Sequence, residues 1–407
     1  MRVTDRALQD SYLITYRNTK DRLRKIQEQL TNQSKINRPS DDPLANSKIM
    51  RLNADLDSLE MYRGNIATSL ATINTSINAM SGIQQQMDGL LTTLTSIENA
   101  TAGSQLDTYA DQIDNVLNSI LDYANTENGG NYVFGGTNYK TKPFGYNAGQ
   151  TAVEVKSSDV GGEQKINISQ TSTQKINIDG EDLFQVVLKQ LGNLNDTTDP
   201  QTTSQTIYNA DGTSSTLSLS FARDGANNYD LTYDTGSGPT VIQDLTFDAT
   251  TGELQSISGN PPNGIRITDA ANKLDFVYDP SNLKESGSAT QLTMDVNQES
   301  DIFNTLISIR DGLRAGNRPN AKQVEMINGF NDHLIGKLSE AGNIKNRLDS
   351  TDELLENQKL DLTDLLSKEK DVDQAAAIIE MQTEEYNLNT IYRISSMVLP
   401  KSLLDYL

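Results

Sequence analysis

NRPSDDP, residues 37–43, sets two prolines, a serine and two adjacent aspartates between stretches of helical periodicity. Read as chemistry it offers a carboxylate pair; read as backbone it ends one helix and begins another. Pro43 disfavours the helical conformation at Asp42 and is suited to a first helical position, which makes Asp42 an N-cap with Pro43 at the first turn. Ser40 and Asp41 add acceptors and negative charge where a helix start favours them. Paired carboxylates serve glycosidic chemistry or a metal only when held in a cleft at a set separation. Neither Asp41 with Asp42 nor Asp371 with Asp373 lies beside aromatics or a histidine in the sequence. Asn37, Pro39, Ser40, Asp41, Asp42 and Pro43 are therefore expected to form a helix break and cap.

Working outward, Leu52, Leu59, Ile66, Ile73, Met80, Met87 and Leu94 recur every seven residues. Leu56, Leu70, Ile77 and Leu91 interleave with them, and Arg63 and Gln84 interrupt this second register. Such a sustained repeat predicts a coiled coil or a long bundle helix. Before the break, Tyr12, Tyr16, Leu23, Ile26 and Leu30, with Thr19 between them, alternate spacings of four and three and predict an amphipathic terminal helix. A third helix is expected over residues 104–128, ending where Gly129 and Gly130 can take the left-handed cap conformation. Towards the other end, Leu306 and Leu313 precede a second break, GNRPN. Beyond it Ile327, Leu334, Ala341, Leu348, Leu355 and Leu362 restore the period of seven. A last amphipathic helix is expected over residues 372–399, before Pro400.

The middle, residues 131–300, changes character. Segments such as TAVEVKS, STLSLSF, NYDLTYD, GIRITD and KLDFVYD alternate apolar and polar residues between Gly, Asn, Asp and Pro turns, which predicts short antiparallel strands with one solvated face. QKINI, duplicated at Gln164 and Gln174, suggests two similar strands, and EDLFQVVLKQLGNL, residues 181–194, reads as a helix between strands. The expected fold class is α+β: an elongated coiled-coil or helical-bundle rod made from both termini, with a β-rich outer domain inserted in the middle. The expected divisions are residues 1–42, a terminal helix and turn forming an inner core with the C-terminus; 43–145, the first part of a long helical core; 146–298, a β-rich outer insertion of one or two subdomains; 299–371, the second part of the core; and 372–407, a C-terminal core helix.

Composition narrows the function. The chain has 407 residues, 35% hydrophobic and 6% aromatic, with no Trp. That is thin material for a dense core and favours subunits that complete their packing against neighbours. With no Cys, disulfides, thiolate metal sites and thiol nucleophiles are excluded. The single His333 rules out a two-histidine helix metal motif and leaves a solvated or interface histidine as the better reading. A formal charge of −21 opposes binding to a nucleic-acid backbone. The charge is uneven: residues 1–40 carry nine bases against four acids, and residues 349–385 carry twelve acids against three bases. These segments can attract one another within or between subunits. No stretch has the length of a membrane helix, and the start MRVTDRALQDSY lacks the apolar stretch of a cleavable secretory signal.

The start MRVTDRALQDSYLITYRNTKDRLRKIQEQLTNQSKINRPSDDPLANSKI resembles the N-terminal region of the bacterial flagellin family, in which a long helix meets a turn of this type and then a second long helix. NYVFGGTNYKTKPF, from Asn131, is similar to the family's segment between helical core and outer domain. DVDQAAAIIEMQTEEYNLNTIYRISSM resembles the family's C-terminal helix. The start MRVT, the segment ESDIFNTLISIRDGLRAGN from Glu299 and the ending SLLDYL look more like the family's hook–filament junction subunits than its filament subunits, and MVLPK at 397–401 stands where a filament subunit carries an Asn- and Gln-rich ending. The resemblance covers residues 1–145 and 299–407, while 190–298 match nothing nameable. It implies a structural, non-enzymatic role without cofactor, metal or membrane insertion, in a homo-oligomeric ring between hook and filament. The filament subunit is the alternative reading, and a coiled-coil surface adhesin a remote one. The implied partners are an adjacent hook-associated junction protein, flagellin and a flagellar export chaperone; the implied location is extracellular, reached without a cleavable signal. Assembly is then expected to bury Tyr12, Tyr16, Leu23, Ile26 and Leu30 against Ile391, Val398, Leu399, Leu403 and Leu404.

Overall fold

The computed structural model describes residues 2–98, 103–157, 160–195, 199–269, 274–286 and 291–398. In chain order the helices are α1 (Arg2–Asn32), α2 (Pro43–Glu98), α3 (Gly103–Ala124), α4 (Gly180–Phe184), α5 (Ile302–Arg314), α6 (Ala321–Lys370) and α7 (Gln374–Val398). Between α3 and α4 run the short strands β1 (Glu127–Asn128), β2 (Asn131–Tyr132), β3 (Phe144–Tyr146), β4 (Val153–Val155), β5 (Lys165–Asn167) and β6 (Thr173–Lys175). Between α4 and α5 run β7 (Val187–Leu194), β8 (Gln201–Tyr208), β9 (Ser214–Gly225), β10 (Asn228–Asp234), β11 (Thr240–Phe247), β12 (Leu254–Ile257), β13 (Ile265–Asp269), β14 (Leu274–Asp279), β15 (Leu283–Glu285) and β16 (Thr293–Val296). The fold is α+β, with long helices from both ends of the chain and strands in the middle. Two compact units emerge, residues 1–64 with 351–407, and residues 65–350.

The larger unit, 65–350, holds a dense core. On α2 the heptad positions Ile66, Ile73, Met80, Met87 and Leu94 are buried, as are Ile113, Leu117 and Ile120 of α3 and Leu306, Ile309 and Leu313 of α5. The Arg310 guanidinium reaches Asp114 at 2.7 Å and Arg314 reaches Asp111 at 3.2 Å, tying α5 to α3. Five of the chain's eight phenylalanines, Phe134, Phe144, Phe184, Phe303 and Phe330, form one cluster with ring centroids 5.1–6.4 Å apart. It joins both ends of NYVFGGTNYKTKPF to α4, α5 and α6. Within that segment Gly136 has φ +56, and a Cβ there would lie 2.0 Å from the Gly161 carbonyl oxygen, so only glycine fits.

The strands build two larger sheets, an antiparallel one in the order β12-β11-β10-β9-β8 and a mixed one in the order β13-β14-β7-β15 with β16 also on β7. Leu217, Leu219, Phe221, Leu231 and Leu245 of the first share one buried cluster with Leu188, Ile267, Phe276 and Tyr278 of the second. At one end of the β8–β9 hairpin, the tip meets the start of α6. There Asn320 and Gln323 form a reciprocal capping box, Asn320 Oδ1 accepting from Gln323 N at 2.8 Å and Gln323 Oε1 accepting from Asn320 N at 3.1 Å. Their amide groups donate in turn to the Asp211 and Ala210 carbonyls, at 2.8 and 3.3 Å. The Lys322 ammonium sits 3.9 Å from the centre of the Tyr208 ring.

Several sequence expectations change. Residues 181–194 are not one helix: α4 ends at Phe184, and VLKQLGNL forms β7. A continuous apolar run fits a buried strand as well as a helix, and here β7 lies between neighbours on both sides, pairing in parallel with β14 and β15 and antiparallel with β16. The strands are thus not all antiparallel, and β7 has no solvated edge along its centre. The third helix stops at Ala124. Gly129 and Gly130, at φ +60 and +79, make the two-residue turn between β1 and β2 instead of a helix cap. The QKINI copies are not equivalent: β5 takes KIN from the first, but β6 takes TQK, leaving most of the second copy outside the strand.

Candidate assembly surface

The smaller unit, residues 1–64 with 351–407, contains the candidate residues. Here α1 and α7 pack antiparallel. The Tyr12 hydroxyl donates to the Ile391 carbonyl, the Tyr16 and Tyr392 rings meet edge to face at 5.7 Å, and Arg22 binds Glu384 through two nitrogens at 2.8 and 3.2 Å. The Arg22 guanidinium holds the Glu384 carboxyl below its usual range. Ile26 is buried; Tyr12, Tyr16, Leu23, Leu30 and Ile391 are half-buried. Val398 lies in the backbone of α7, and Leu399, Leu403 and Leu404 lie outside the described residues. The basic arm thus meets the acidic segment within one chain, at Arg22–Glu384 and at Lys35 Nζ, which donates to the Lys368 carbonyl at 2.8 Å, and beyond the arm Lys48 reaches Glu369 at 3.2 Å.

The turn at 37–43 uses its two aspartates differently. Asp42 Oδ1 accepts from the Leu44 and Ala45 amides at 3.1 and 3.0 Å, and its carbonyl accepts from Asn46, the geometry of an N-cap on α2. Asp41 points the other way. Its Oδ2 accepts from the Arg38 and Asn37 amides at 3.0 and 3.2 Å, and these bonds, with Lys25 nearby, hold the carboxyl below its usual range. Asp41 therefore closes the turn and does not serve the helix start, as its sequence position suggested. Just before the turn, Ser34 bridges Asp371, and Lys35 N donates to the Lys370 carbonyl at 2.7 Å, fastening the end of α1 to the end of α6. His333 lies in the other unit, its Nε2 2.7 Å from the Asp182 carbonyl, and burial lowers its pKa.

Within this unit α2 and α6 run antiparallel, with Arg63 on Asp352 (2.9 Å) and Glu356, and Lys359 on Glu60 (2.9 Å). The apolar packing is sparse. Among its described residues only Ile26, Leu355 and Ala377 are buried hydrophobics, whereas Leu13, Ile14, Leu44, Met50, Met61, Leu354, Leu360, Leu365, Ile378, Ile379, Tyr386, Tyr392 and Ile394 are exposed. Tyr386 is 73% exposed, Ile379 65% and Met50 65%. Their placement is ordered. At about 100° per residue, Ile379 and Tyr386 lie on the side of α7 opposite Ala377, Glu384 and Leu388, which face α1. Met50 and Met61 likewise share a line of α2 opposite Leu52 and Leu59. Sequence reading missed these second lines because it followed the heptads. On α2 and α6 the signal that would have found such lines is a spacing of eleven, which nearly closes three turns, at Met50 with Met61 and Leu354 with Leu365; on α7 Ile379 and Tyr386 are seven apart.

No family model and no curated protein matches the chain. Solved structures do. The crystal structure of flagellar hook associated protein-3 from Legionella pneumophila is 16% identical, with a TM-score of 0.48 over 79% of this chain and 98% of that one. The flagellar junction protein FlgL from Legionella pneumophila is also 16% identical, at 0.45 over 80% and 100%. Xanthomonas campestris FlgL is 16% identical, at 0.43 over 78% and 99%.

Proposed function

We propose that this chain is a structural subunit of the bacterial flagellum, a junction protein that joins hook to filament and assembles through its terminal helices. One observation carries the proposal: helices already paired on one face present a second apolar line to water. Ordered apolar surface of this kind marks an interaction site, and covering it with neighbouring copies returns about 25 cal/mol for each Å² of apolar surface removed from water. The resemblance of NRPSDDP and NYVFGGTNYKTKPF to the flagellin family supplies the kind of assembly. In this reading copies form a ring with the hook-associated junction protein on one side and flagellin on the other. An export chaperone shields the terminal helices before the chain leaves the cell. Among the described residues no helix is long and apolar enough to cross a membrane.

The test is to add purified chain to isolated hooks and view the tips by electron microscopy. A single added layer is expected, and the Ile379→Asp, Tyr386→Asp double variant is expected to keep its helicity but add no layer. Long polymers formed by the chain alone would make it a filament subunit, and a fully active double variant would remove the outward apolar lines from the mechanism.

A further inference from the structure

The β-rich region carries a second kind of open surface, distinct from the helical one. In the sheet β12-β11-β10-β9-β8 the two edges are treated differently. The β12 edge is closed: Glu253 bridges Lys284 of β15, and Glu285 N donates to the Gly252 carbonyl at 2.8 Å. The β8 edge pairs with no strand but β9 among the described residues, and on its other side its backbone meets only the Gln205 side chain, whose Nε2 donates to the Thr206 carbonyl at 3.2 Å. It opens onto a recess bounded across from it by residues 291–294.

Open edges are normally protected by charge, proline, bulges or brevity, and β8 has none of these along its length. It is eight residues long, and QTTSQTIY contains no charged side chain and no proline. Its register with β9 is unbroken from Gln201 to Tyr208, whereas the β9–β10, β10–β11 and β11–β12 pairings each contain a shift. Of the other edge strands in the two larger sheets, β13 carries Arg266, which binds Asp275 at 2.6 Å, and β16 is four residues long and carries Asp295. In a chain of charge −21, eight consecutive uncharged residues on the one long unprotected edge are where a second copy meets least repulsion.

We infer that β8 is a strand-addition edge, through which the β sheet of one unassembled copy pairs antiparallel with β8 of a second, a two-fold contact between free subunits and not one within the polar ring. The strand is self-complementary for such a pair. A two-fold axis at Ser204 sets Ser204 opposite its own copy and Thr202 opposite Thr206, pairs of hydroxyl side chains on one exposed face that stabilise cross-strand contacts. Thr202, Ser204 and Thr206 are exposed, so the incoming strand displaces water and, at the Thr206 carbonyl, the Gln205 amide. This contact is independent of the terminal helices, and its loss and theirs separate cleanly.

The chain has no native thiol, so a single Thr206→Cys carries one nitroxide label. With Thr206 opposite Thr202 the two labelled positions lie about 14 Å apart along the paired strands, and double electron–electron resonance on the full-length chain is expected to show a short intermolecular distance whose population grows with protein concentration. Ser204→Lys places two like charges directly opposite each other on the axis and is expected to abolish that distance, with circular dichroism unchanged. The Ile379→Asp, Tyr386→Asp background is expected to keep it. Absence of a short distance at any concentration, its survival in Ser204→Lys, or its loss in the terminal double variant alone would each overturn the inference.

Discussion

The two units of this chain solve burial in opposite ways. Residues 65–350 hold all eight phenylalanines, a five-ring cluster among them, and bury the heptad face of their stretch of α2. Residues 1–64 with 351–407 hold none, bury three hydrophobic side chains among those described, and rely on surface ion pairs such as Arg22–Glu384 and Lys48–Glu369. Exposed pairs of that kind contribute at most about 1 kcal/mol each. The difference teaches that similar apolar periodicity can specify a finished core in one place and an unfinished one in another. What decides is whether the chain itself supplies a second layer.

The sharpest way to break the comparison is Phe184→Ala. It removes the ring that touches Phe134, Phe144, Phe303 and Phe330, and should cost the larger unit about 3–5 kcal/mol while leaving the α1–α7 pair intact, as read by urea unfolding with unit-specific probes. Equal destabilisation of both would mean the units are not separate. Acidity should divide them next. Burial of Asp301, the N-cap of α5, pushes its carboxyl up to about 7, so the folded unit keeps a proton that the unfolded chain has released. Its contribution falls as pH rises towards 7, by about 1.4 kcal/mol per unit. His333 has the opposite sign: its lowered pKa keeps it neutral in the folded state, so its contribution is complete above its ordinary value near 6.5 and is lost as pH falls. Asp301→Asn should therefore leave stability rising with pH between about 5 and 6.5, and His333→Gln should leave it falling. In the smaller unit Asp41 and Glu384 are held low, so their stabilisation persists through this window and is lost only in stronger acid.

Smaller effects belong to the smaller unit. Asp42→Ala should cost about 1 kcal/mol through the lost cap, visible as reduced helicity at the start of α2 and a shifted assembly midpoint; an unchanged midpoint would separate the cap from assembly. Tyr386→Ser should change the isolated chain by less than about 0.5 kcal/mol, the usual scale for a surface site. A larger loss would show that the exposed ring already has an intramolecular partner.

Much of this was legible because helices announce themselves by period. The heptads from Leu52 to Leu94 and from Ile327 to Leu362 lie on α2 and α6, and the break at 37–43 lies between α1 and α2. The role of Asp42 was readable because a cap is local chemistry. Asp41 was not, since its partners depend on how the chain folds back to Asn37 and Arg38. VLKQLGNL was misread because a strand flanked on both sides loses the alternation that identifies strands, and only its neighbours β14, β15 and β16 decide it. The outward lines on α2 and α7 escaped notice because exposed apolar residues look like noise until the inner face has been assigned.

The capping box of α6 has one more consequence. Asn320 and Gln323 each spend their oxygen on the helix end and their NH₂ on the hairpin tip at Ala210 and Asp211, while Gly212, at φ +81, leaves space where a Cβ would come 2.7 Å from Asn320 Oδ1. The middle of the chain is thus not a detachable ornament. Anyone exchanging it for the corresponding region of another protein would be editing the first turn of α6 as well, and a graft that works would have to carry residues 208–213 and 320–323 together, as a plug and its socket.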